Sequence, residues 1–249
     1  MRIHVGLTAA ACVALAVTLQ LAHPAAQGRA GGASGAPPPP PPTPREAAPI
    51  DLTGYWVSVV NEDYRWRMVT PPKGDYASVP LSDEGRKIAD TWDMSKDGQC
   101  EAYGAAALMR MPTRLHITWE SNSVLAIETD AGRQTRRLLF DRAARPPAGR
   151  TLQGWSQATW ERPAPGASLK VVTTQLRPGW LRRNGVPYSQ ETVVTEYIDR
   201  FKAPNGDEWA VFTTLVNDPR YLNQEFVTSS HFKKEPDGTK WNPFPCKTT

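Results

Sequence analysis

Thiol and metal chemistry have little to work with in this chain. It holds three cysteines (Cys12, Cys100 and Cys246) and four histidines. Cys12, His4 and His23 fall in the N-terminal segment. The remaining Cys100, Cys246, His116 and His231 show none of the tight spacing of a structural metal site. There is also no block of charge of one sign. The formal charge is +4, and the basic residues are scattered among acids. Nucleic-acid binders favour a clustered basic footprint, so that partner class is excluded, although a weak preference for anionic ligands remains. No cofactor motif is present, so any chemistry is expected to be cofactor-free.

What is there begins with an address. Arg2 and His4 precede an almost wholly apolar run, Val5 to Ala22, and small residues follow at Ala25, Ala26 and Gly28. This is the anatomy of a secretory signal peptide over residues 1–28, and it implies a periplasmic or secreted protein with no membrane span after cleavage. Thr8, Thr18 and Gln20 make the run a poor transmembrane anchor, which needs about 20 apolar residues. Residues 29–49 are rich in Gly, Ala and Pro, with proline at every position from Pro37 to Pro42. Such a composition reads as a disordered linker. Residues 50–249 are left as one folded domain. Once Cys12 leaves with the leader, an even pair of cysteines in an exported chain predicts a Cys100–Cys246 disulfide.

The domain reads as strands. Around Tyr55 to Val60, in Leu115 to Trp119 and in Gln190 to Lys202, residues alternate between two faces. Asp130-Ala131-Gly132 and Pro204-Asn205-Gly206 are hairpin signals. One helix stands out over Leu81 to Trp92, with Ser82 as cap, Asp83 and Glu84 in its first turn, and Leu81, Ile88 and Trp92 as its apolar stripe. Eight or more strands with one short helix predict a mainly β, antiparallel sheet, and closure into a barrel hides both edges. Gly54-Tyr55-Trp56 on the first strand resembles the lipocalin signature, which implies a lipocalin-like (calycin-type) β-barrel.

Candidate site residues follow from the strands and from one long connection. Glu196 and Arg200 share a face with Val194 and Ile198, the arrangement of a polar pair inside a barrel that orients a ligand. His116 can change protonation near neutral pH. The connection from Arg177 to Ser189 is too long for a hairpin turn and carries Trp180, Arg182, Arg183 and Tyr188, which suit a planar or anionic small molecule. Trp180 is expected at the mouth of the barrel. Trp155 and Tyr197 complete the aromatic candidates. Gly154-Trp155-Ser156-Gln157-Ala158 approaches a nucleophile elbow, but that motif needs a following helix and its flanks here are strand-like.

A longer pattern runs from about Pro80 to Lys234. Gly154-Trp155-Ser156 with Trp160-Glu161, then Leu169-Lys170-Val171, Gly185-Val186-Pro187-Tyr188-Ser189, Thr195-Glu196, and Asp218-Pro219 with Tyr221 follow in order. This resembles a poorly characterised family of exported bacterial β-barrel proteins with the pattern G-H-S-x-G-x-W-E … G-x-P-H-S … T-E-R-F. Trp155 and Tyr188 stand where that family carries histidines, so the resemblance implies altered chemistry or binding alone. The expected function is binding of a small, partly apolar or aromatic molecule by an exported barrel. The alternative is a cofactor-independent lyase, isomerase or hydrolase. There Glu196 would act as general acid or base, His116 or Tyr188 as its partner, and Arg200 would steady an oxyanion.

Overall fold

The computed structural model describes residues 39–96, 103–163 and 166–245. The expected leader and both members of the expected disulfide, Cys100 and Cys246, lie outside the described residues. The strands in chain order are β1 (Gly54–Val59), β2 (Arg114–Trp119), β3 (Val124–Thr129), β4 (Thr135–Leu139), β5 (Trp155–Glu161) and β6 (Ser168–Thr174). They are followed by β7 (Gly179–Arg182), β8 (Val186–Tyr188), β9 (Val193–Lys202), β10 (Glu208–Asn217) and β11 (Phe226–Lys234).

Nine of these strands close into a barrel in the order β1-β11-β10-β9-β6-β5-β4-β3-β2, with β1 also pairing β2. The architecture is mainly β, as expected of a lipocalin-like chain. Two features differ from expectation. The pairing of β4 with β5 is parallel and joins only Leu138 to Ser156 and Leu139 to Gln157, whereas every other barrel pair is antiparallel. Among the described residues there are also three short α-helices rather than one: α1 (Tyr64–Arg67), α2 (Asp83–Ala89) and α3 (Ala105–Leu108). A single helical turn leaves no periodicity to read in a sequence.

Alternation fills the barrel with side chains. Trp56, Leu115, Ile127, Leu138, Ile198 and Phe232 are all within its buried core. Trp56 donates from Nε1 to the Leu52 carbonyl at 2.9 Å, so the one polar atom of the buried indole is satisfied. One end of the barrel carries a row of aromatic rings, Trp119, Phe140 and Trp160, with centroids 5.4 and 5.3 Å apart. The expected linker is not free of this end. Trp160 Nε1 donates to the Pro44 carbonyl at 2.9 Å, Arg162 to the Ala47 carbonyl at 2.7 Å, and the Arg45 amide to the Asn122 carbonyl at 3.1 Å.

The opposite end is capped. Tyr76, Leu81, Leu181, Val186 and Tyr188 form a second apolar cluster with Val194, Val216 and Phe226 from the strand ends. The long connection after β6 supplies part of this cap as the small β7–β8 hairpin. Helix α2 supplies another part. Ser82 caps it by accepting from the Gly85 amide at 3.0 Å. Gly85 itself is dictated by a neighbour: a Cβ there would lie 2.5 Å from the Tyr221 carbonyl oxygen, so the helix and the turn after β10 approach only because that side chain is absent.

Candidate functional site

The expected catalytic set does not assemble. Glu196 points into the barrel and is 0% exposed. Its partner is Arg136 of β4, which reaches over β5 and β6 to give a two-pronged ion pair, Nη1 to Oε1 at 2.9 Å and Nη2 to Oε2 at 2.5 Å. Arg136 Nη2 also donates to Thr173 Oγ1 at 3.3 Å, and Thr173 Oγ1 lies 2.8 Å from Ser156 Oγ. Both carboxylate oxygens of Glu196 are thus occupied in a sealed polar layer. Ser156 is a buried strand serine in that layer.

Arg200 corrects the expected Glu196–Arg200 pair. Same-face positions four apart on a strand are separated by about 13 Å along it, beyond contact for two side chains held by other partners. Arg200 bonds Glu208 on β10 at 2.8 Å instead, near the strand end where both are half-buried. His116 lies on the outer face of β2, stacked on Tyr55 with centroids 4.3 Å apart and 3.2 Å from Glu128. Tyr197 also faces outward, with the Lys170 ammonium over its ring at 5.5 Å. Trp155 alternates with buried Ser156 and takes the outer side of β5. The barrel wall therefore divides Glu196 from His116.

The structure does bring Trp180 and Tyr188 together. They line a cavity of about 350 Å³ in the cap with Ile88, Arg177, Pro187 and Tyr221. This places Trp180 on the β7–β8 hairpin and not at an open barrel mouth, because the barrel interior is packed with side chains and that end is capped. The Arg177 side chain is exposed and makes no ion pair among the described residues. Tyr188 is wholly buried, and its hydroxyl has no hydrogen-bond partner among the described residues. Burial pushes that phenol far above its usual range, and the nearby Arg177 charge offsets only part of this, so it stays protonated. Gly104 and Gly179 make room for it: a Cβ at either would lie 2.0 or 2.6 Å from Tyr188 Oη.

A larger hollow of about 410 Å³ lies over the outer face of β5 and β6, but its walls are Gln157, Thr159, Glu161 and Lys170, with Lys170 already 3.5 Å from Glu161. It offers no aromatic wall, and the cap cavity does. Arg182 lies two residues after Trp180, but the register shifts between them and Arg182 serves the other side of β7. It donates to the Ala77 carbonyl at 2.7 Å and to Ser78 Oγ at 3.0 Å, away from the Trp180 cavity. Sequence reasoning missed Arg136, Arg177, Tyr221 and Ile88. Ile88 was visible only as part of a helical stripe, Tyr221 only within the longer pattern and Arg177 only as the start of the long connection, while Arg136 carries no local signal. No protein-family model matches the chain, and no curated protein or solved structure shows significant similarity to it.

Proposed function

We propose that the protein is an exported, lipocalin-like barrel that binds a small, partly apolar aromatic molecule in the cap cavity, with Arg177 attracting an acidic substituent. The observation that carries this is a cavity of about 350 Å³ with Trp180, Tyr221 and Ile88 in its wall and, beside them, an arginine that makes no ion pair among the described residues. That volume lies within the range of about 300–1,000 Å³ typical of ligand sites, and a few polar groups in an apolar wall are their usual composition. The leader at residues 1–28 and its proline-rich continuation support export. The occupied carboxylate of Glu196 favours binding over acid–base catalysis.

Mass spectrometry of small molecules released from the purified chain tests the reading. Wild-type protein should retain an aromatic, acidic species that Trp180→Ala loses, with little change in the unfolding midpoint. Equal retention by both proteins, or no retained species in either, would remove it.

A further inference from the structure

On the other face of β7 from Trp180 the cap holds a second, chemically different feature. Arg67 of α1, Arg110 after α3, and Arg182 and Arg183 at the end of β7 line one narrow cavity of about 20 Å³ with Trp66 and Tyr103. Three of these arginines are deeply buried, at 5%, 7% and 2% exposure for Arg67, Arg110 and Arg182. Burying a guanidinium is costly unless it is paired.

The pairing is incomplete. Arg67 bonds Glu62 at 2.9 Å and the Arg110 carbonyl at 2.8 Å. Glu62 is shared with His231. Arg110 Nη1 is ion-paired with Asp63 Oδ2 at 2.9 Å, but its Nη2 has no hydrogen-bond partner among the described residues. Arg182 Nε is also without a hydrogen-bond partner among the described residues, and its guanidinium lies 4.7 Å from the Trp66 ring centre. Asp75 is engaged by Arg65. Arg183 is held against the Tyr103 hydroxyl. Four guanidinium groups against the carboxylates of Glu62 and Asp63 leave two positive charges without an anion among the described residues.

The local backbone bends to make this arrangement. Asp63 and Ser78, which touch Arg110 and Arg182, both adopt left-handed backbone angles, with φ of 52° and 62°. Non-glycine residues in that region are uncommon, and they cluster at functional sites. Electrostatics agree with the geometry. Burial first, and then the Arg110 charge, bring Arg67 and Arg182 down to about 10 from the ordinary 12.5. Mutual repulsion among buried cations is relieved when an anion enters.

We infer that this cleft is an oxyanion site for a phosphate group, either inorganic phosphate or the terminal phosphate of a larger molecule. Two uncompensated charges match a phosphate dianion better than a carboxylate. Donors from α1, from the segment after α3 and from β7 approach from three elements, which suits a tetrahedral anion more than a planar one. The enclosed part of the cleft, about 20 Å³, is little more than the roughly 10–15 Å³ that one water needs, so a phosphate would sit at its half-buried Arg183 rim. Tyr64, Met68 and Val69 are exposed apolar residues on and just after α1, beside Arg67. A phosphate carried by a lipid would place its apolar part there.

Calorimetric titration of the purified chain with inorganic phosphate at low salt tests the site, with acetate as the planar control. Phosphate should bind at least tenfold more tightly than acetate. Arg110→Gln should weaken phosphate binding at least tenfold, and Arg137→Gln, which removes an exposed arginine of β4 far from both cavities, should leave it unchanged. Should Arg110→Gln fail to fold, Arg183→Gln at the half-buried rim gives the same readout. Absence of phosphate binding, equal binding of acetate, or full affinity in the arginine variants would overturn the assignment. Sedimentation with vesicles containing phosphatidic acid then separates the sources. Vesicle binding that free phosphate competes away supports a lipid headgroup, and phosphate binding without it supports a soluble phosphate.

Discussion

Arg136 holds both carboxylate oxygens of Glu196 from the far side of the barrel, and neither residue is reached by solvent. A buried pair of this kind costs much to break by one partner and little to replace whole. Arg136→Met should therefore destabilise the protein by about 3–5 kcal/mol, and Arg136→Met with Glu196→Leu should recover most of that. Chemical denaturation of the three proteins gives the comparison. A single variant costing under about 1 kcal/mol would show that water reaches the layer.

Gly85→Ala sets two effects of opposite sign against each other. Alanine favours a helix over glycine by about 1 kcal/mol. The added Cβ would meet the Tyr221 carbonyl at 2.5 Å, and overpacking of that kind costs about 1–3 kcal/mol. The Ser82 amide already donates to the same carbonyl at 2.9 Å, which ties the turn in place. The contact should win, so we expect a lower thermal midpoint and weaker ligand retention, since Tyr221 walls the cavity. A raised midpoint would show that the turn yields.

Tyr188→Phe tests the partnerless hydroxyl. An ordinary buried tyrosine loses a hydrogen bond on this change and is destabilised by about 1 kcal/mol. Here no hydrogen bond among the described residues is lost, so denaturation should find the variant as stable as wild type or more so. Loss of stability in the ligand-free protein would mean that the hydroxyl is satisfied in solution.

The Arg200–Glu208 pair predicts a feature of acid stability. Hydrogen bonding from Arg200, followed by help from Lys234, holds the Glu208 carboxyl below its ordinary 4.5. A carboxyl with a depressed folded value stabilises the protein above the unfolded value and loses that contribution as pH falls through the folded one. Arg200→Gln should lower the thermal midpoint at neutral pH, and the gap to wild type should close as the solution is acidified below the ordinary carboxyl value. A gap that persists in acid would assign the effect to packing of the arginine stem.

Local physics made much of this fold readable. Alternation from Val193 to Asp199 and the Asn205-Gly206 turn specify a long hairpin without reference to the rest of the chain. The same alternation places Glu196 inside the barrel. Its partner was not readable, because Arg136 is sixty residues away and meets it only through strand order. Trp180 and Tyr188 could be singled out as neighbours on one connection. Arg67 and Arg110 could not, since each follows or sits in a single helical turn and they converge only when the cap forms. Residues 43–49 look like linker by composition, yet their carbonyls satisfy Trp160 and Arg162. Composition reports what a segment can bury and is silent on what its backbone can accept.

The parallel junction of β4 and β5 makes the barrel a hoop with one short joint. Seven register positions join β5 to β6 and ten join β9 to β10, but two close this joint. A hoop opens where it is fastened least, and the Arg136–Glu196 link runs from one side of the joint to the far wall like a tie rod. Amide exchange should therefore begin at Leu138, Leu139, Ser156 and Gln157 and reach β9 and β10 last. Cutting the rod with Arg136→Met should hasten exchange at the joint ahead of any change elsewhere. A sheet opened there would present two unpaired edges at once, so the same short joint is where copies of this chain would begin to aggregate under stress.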